Sequence, residues 1–142
     1  MSQKQEVHVA FVLACNASHE DLRRVARSAP EGERWATCRD VLLEAGVFMQ
    51  RERLLVTASP AVVIAAETVQ RYLVAIRDLI GAGENLEGDA YGQAYALYAN
   101  SLWQLRQSMR VDADSPVLDL SDPVLIREQL PPRDAAQRRD GH

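Results

Sequence analysis

Between polar breaks, the apolar residues of this chain recur at spacings of three and four, the period that gathers side chains on one stripe of an α-helix. The first such stretch runs from about Gln3 to Ser28, with Val7, Phe11, Ala14, Ser18, Leu22 and Val25 in register, and Pro30 and Gly32 supply its break. A second runs from about Glu33 to Thr57 through Trp35, Cys38, Leu42, Ala45, Met49, Glu52 and Val56, weakened only slightly by Gly46. Ser59 and Pro60 predict the start of a third, because the hydroxyl can accept an orphan amide bond while proline presets the first helical φ. Its stripe is Val62 or Val63, Ala66, Val69, Leu73, Ile76 and Ile80, and Gly81 with Gly83 closes it. Asp89 predicts the cap of a fourth helix, whose stripe Tyr91, Ala94, Tyr95, Tyr98, Leu102, Leu105 and Met109 ends near Arg110.

These stretches predict an all-α fold. Four helices of similar length joined by short links, Ala29 to Gly32, Ala58 to Ser59 and Gly81 to Gly88, favour an antiparallel up-down four-helix bundle over residues 1–111. A small α/β fold is the alternative, with strands at Val7 to Cys15 and Arg53 to Thr57, but two strands give too small a sheet to cover the remaining helices. From residue 112 the texture changes. Asp112, Asp114, Asp119 and Asp122 interleave with Pro116 and Pro123, so residues 112–142 read as an acidic arm with a short helix after Ser121, then a disordered tail from Arg133.

Composition adds bounds to this picture. A chain of 142 residues, 47% hydrophobic and 25% charged, fits one soluble domain large enough to bury its own core. Its net charge of −4 is weak and of the wrong sign for a phosphate-backbone binder, and the acidic excess lies beyond residue 111, so nucleic acid is disfavoured as a partner. Cys15 and Cys38 sit inside apolar stretches without the spacing of a zinc or redox motif and read as reduced core residues. No apolar run reaches membrane-spanning length and the start is polar, so the expected location is cytoplasmic, with no membrane partner.

Candidate chemistry is sparse. His8, His19 and His142 fall in no metal-binding arrangement, and no G-x-S-x-G or comparable cysteine context marks a nucleophile. Gly81-Ala82-Gly83 lacks the lysine of a phosphate loop and reads as a helix stop. Arg23, Arg24 and Arg27 follow Glu20 and Asp21 at ion-pair spacing, which accounts for that basic cluster on a solvated face. No catalytic, cofactor or metal residue is nominated. Tyr91, Tyr95 and Tyr98 share one helix face with Trp103 near its edge, a row suited to core packing, an interface or a small-molecule pocket. Leu118, Leu120, Leu125 and Ile126 belong to an apolar patch in the arm that could dock in a groove of the parent bundle or of a second copy.

Phe11 with Ala14, Ala58-Ser59-Pro60, Ala65-Ala66, and Tyr95, Tyr98, Leu105 and Arg106 give residues 5–111 a pattern that resembles a diffuse group of uncharacterised Arg-rich helical-bundle proteins of actinobacteria. The resemblance implies an all-helical fold and brings no activity with it. The expected function is a non-enzymatic helical module for protein–protein interaction or self-association, a homodimer being one form. The alternative is a small-molecule binding or sensing bundle with its pocket at Tyr91, Tyr95, Tyr98 and Trp103.

Overall fold

The computed structural model describes residues 1–113, and among them every regular element is helical. Helix α1 spans Gln3–Ser28. Ser2 caps it by accepting the Gln5 amide at 3.1 Å while the Gln5 side chain accepts the Ser2 amide at 3.0 Å. After a 3₁₀ turn at Glu31–Glu33 come three short helices, α2 (Arg34–Cys38), α3 (Val41–Ala45) and α4 (Val47–Thr57), and then two long ones, α5 (Pro60–Gly81) and α6 (Asp89–Asp112).

Three predicted stripes agree with the observed core. Val7, Phe11, Ala14, Ser18, Leu22 and Val25 are buried along α1, and Val62, Ala66, Val69, Leu73, Ile76 and Ile80 are buried along α5. The α6 stripe is also buried, apart from a half-buried Tyr95. Ser59 caps α5 by accepting the Val62 amide at 3.4 Å, with Pro60 at the first helical position. The α/β alternative fails: both segments assigned to strands, Val7 to Cys15 and Arg53 to Thr57, are helical.

The second predicted helix is where structure and sequence part. It breaks at Arg39 and Asp40 and again at Gly46, whose φ of 87° is the left-handed geometry that glycine adopts without steric cost. Each break resets the helical phase. Beyond Gly46 the buried positions are Val47 and Leu54, while Met49, Glu52 and Val56 of the expected stripe face solvent. Two end points also move. Gly88, not Asp89, is the N-cap of α6 and makes no side-chain capping bond, and the helix runs past Arg110 to Asp112.

Long-range contacts orient the limbs. Arg34 reaches from the start of α2 to the Ala26 carbonyl near the end of α1 (3.1 Å) and to the Glu84 carbonyl after α5 (2.7 Å), so one end of the molecule gathers these three segments. At the other end the Ser59 amide donates to Asp112 Oδ1 at 3.2 Å, which brings the start of α5 to the end of α6. Lys4 and His8 of α1 reach the same aspartate. Consecutive limbs therefore alternate in direction, the second being the broken series α2 to α4.

Candidate functional site

Two polar clusters bridge α1 and α6, each placed by a histidine on the flank of the α1 stripe. His8, Cys15 and His19 follow at steps of seven and four, which sets them on one side of the helix. The lower cluster surrounds His19. Its Nε2 lies 2.8 Å from Tyr91 Oη, and its ring stacks on Tyr95 with centroids 5.3 Å apart and lies tilted beside Tyr98 at 5.1 Å. Arg23 Nη1 donates to the same Tyr91 oxygen at 3.4 Å. Burial lowers the His19 pKa to about 4, and the nearby Arg23 charge adds to the shift, so the ring is neutral at pH 7. The neutral Nε2 and the Tyr91 hydroxyl are hydrogen-bonded to each other, and that hydroxyl oxygen also accepts from Arg23. Burial in turn raises the Tyr91 pKa against the opposing effect of Arg23.

The upper cluster centres on Asp112. Its Oδ1 accepts from Lys4 Nζ and from the Ser59 amide, both at 3.2 Å, and its Oδ2 lies 2.9 Å from His8 Nε2. Burial acts to raise the Asp112 pKa, but the hydrogen bonds from Ser59, His8 and Lys4 together outweigh it and hold the carboxyl below its ordinary value. For His8 the balance is reversed: burial lowers its pKa more than Asp112 raises it. The neutral ring donates from Nε2, and its buried Nδ1 has no hydrogen-bond partner. Beside this cluster an open groove of about 560 Å³ is lined by Ser59, Ala61, Ser108, Val111 and Asp112.

The structure thus draws together Tyr91, Tyr95 and Tyr98, but around His19, which the sequence placed in no metal-binding arrangement and gave no other role. The rings of Tyr91, Tyr95 and His19 stack on one another with Tyr98 tilted beside His19, and the groove lies at the opposite end of α6 from Tyr91. Trp103 sits apart on the flank of α6, half-buried. Leu118, Leu120, Leu125 and Ile126 lie outside the described residues. The step from His8 to Cys15 to His19 was a visible signal that both histidines face a neighbouring helix. Nothing local announces Asp112, whose partners come from α1 and from Ser59, the residue that caps α5.

A third feature is a surface. Among the exposed large apolar residues, Trp35, Leu43, Met49, Leu55 and Val56 all belong to α2, α3 and α4, with Met49 61% and Val56 84% exposed. Trp35 also packs under the Arg77 guanidinium, 5.3 Å from its ring centroid, and against Gly81. Both cysteines are buried and free. Among the described residues no group of three His, Cys, Asp or Glu side chains could hold a metal ion, and no helix is long and apolar enough to cross a membrane. Comparison of the chain with family models, curated proteins and solved structures finds no match.

Proposed function

We propose that this chain is a non-enzymatic helical module of the cytoplasm that binds protein, another chain or its own kind, through the outward face of the α2 to α4 limb. One observation carries the reading: this limb turns Leu43, Met49, Leu55 and Val56 to solvent while its own burial rests on Cys38, Val41, Leu42, Val47 and Leu54. Apolar side chains exposed along one limb can serve as a contact surface, because water leaves them favourably only when a partner covers them. Trp35, held by Arg77, adds an aromatic and an arginine, side chains that often anchor interfaces. The two buried-flank histidines support the non-enzymatic part. The His8 side chain is only 1% exposed and His19 is stacked on the rings of Tyr91 and Tyr95, so both histidines join α1 to α6 rather than meet a substrate.

Photo-crosslinking tests this reading. A photoreactive amino acid replaces Val56 in the full chain, and a control chain carries it at Gln93, an exposed position on α6. Protein adducts at position 56 and none at 93, in the cells that make the chain, are expected. Equal adduct formation at both, or none at 56, contradicts the assignment.

A further inference from the structure

We infer that the partner of this face is a second copy of the chain, docked with the two α4 helices antiparallel about a two-fold axis that passes between Glu52 and Arg53. The inference rests on the reading of the α2 to α4 limb as a binding surface and names what covers it. Met49 and Val56 are seven residues apart, two helical turns or about 10.5 Å, so they lie along one line of α4. Glu52 and Arg53 stand midway between them, both exposed.

That spacing is self-complementary. An antiparallel two-fold through the midpoint exchanges positions 49 and 56, and positions 52 and 53. Each Met49 then faces the partner's Val56, and each Glu52 faces the partner's Arg53. A closed two-fold requires one patch to match itself, which these four residues do in apolar character and in charge. Parallel docking in register would instead set Glu52 against Glu52 and Arg53 against Arg53, a like-charge arrangement that is disfavoured. Within one chain Glu52 pairs with Arg51 at 3.1 Å, and Arg53 donates to Gln50 at 2.9 Å, so neither side chain is locked into the core. With 11 residues α4 offers a short contact, which places the pair among small, concentration-dependent interfaces.

Sedimentation velocity on the full-length chain provides the test. The expected result is a shift from 15.8 kDa toward twice that mass as concentration rises to on the order of 100 µM. Glu52→Arg and Arg53→Glu, each alone, should weaken association at least about tenfold, because each homodimer then opposes like charges. An equimolar mixture of the two variants should associate again, since every 52–53 contact between unlike chains regains opposite charges. Circular dichroism should show both variants folded, as both positions are exposed. A wild-type chain that keeps its monomer mass, charge variants that associate like wild type, or a mixture without recovery would overturn the second-copy assignment. Crosslinks from position 56 to a different protein, alongside a monomeric purified chain, would overturn this inference and leave the binding surface standing.

Discussion

The imidazole of His8 and the carboxylate of Asp112 meet at 2.9 Å although 104 residues separate them, with side chains only 1% and 4% exposed. This contact closes the molecule. It joins the first turns of α1 to the last turn of α6, and through the Ser59 amide it brings in the start of α5.

Removing the carboxylate should be costly. Asp112→Ala removes the carboxylate from Lys4, His8 and the Ser59 amide at once, and the buried His8 donor left unpaired carries its full desolvation penalty, whereas Lys4 keeps the Asp112 backbone carbonyl. A loss of about 2–4 kcal/mol in urea unfolding at pH 7 is expected, with Asp112→Asn losing less because it retains a carbonyl acceptor. A change below about 0.5 kcal/mol for the alanine variant would show that the cluster contributes little to stability.

Acid should destabilise the fold in a defined window. His19 has an ordinary pKa of 6.5 in the unfolded chain and about 4 in the folded one, so on acidification the unfolded state binds the proton first. The stability that depends on neutral His19 is fully present above 6.5 and is lost as pH falls toward 4, by up to about 3 kcal/mol. His8, also lowered, acts with the same sign, and the lowered Asp112 adds a further loss below 3.8. Urea unfolding of wild type and His19→Gln at pH 7, 6 and 5 measures this. The variant should start less stable and show a shallower decline, whereas parallel declines would place the proton uptake elsewhere.

Two glycines should respond in opposite directions to alanine. A Cβ at Gly81 would lie 2.6 Å from Trp35 Cε3 and 3.3 Å from Cys38 Sγ, so the ring that covers the end of α5 must move. Gly81→Ala should cost about 1–3 kcal/mol and shift the fluorescence of Trp35. Gly92, inside α6, meets nothing within 4 Å, and Gly92→Ala should gain about 0.5–1 kcal/mol from helix propensity. Equal effects at the two sites in thermal unfolding would contradict the packing described for Trp35.

Much of this fold was legible because α1, α5 and α6 each keep one uninterrupted phase, so spacing alone identified Phe11, Leu73 and Leu105 as core residues. The α2 to α4 limb was not legible in the same way. A lone glycine in a periodic stretch can sit in a helix or turn left-handed, and only tertiary packing decided that Gly46 does the latter. Once it does, Val56 points outward although its type and spacing suit the core. The candidate surface is hidden in part for that reason, since Trp35, Met49 and Val56, which the spacing assigns to the interior, are exposed on it beside Leu43 and Leu55. The histidine clusters were half legible: their shared flank on α1 follows from helical geometry, but Asp112 was grouped by composition with the acidic residues that follow it.

Helix α4 holds the molecule together through Leu54 and leaves Val56 on its outer side. Urea unfolding of Leu54→Ala and Val56→Gln, at protein concentrations too low for self-association, tests this most directly. Leu54 is fully buried and Val56 is 84% exposed. The expected result is a loss of about 2–5 kcal/mol for Leu54→Ala and a change within about 0.5 kcal/mol for Val56→Gln. A large loss at Val56 with little at Leu54 would return Val56 to the core, restore the unbroken second helix and remove the proposed binding face.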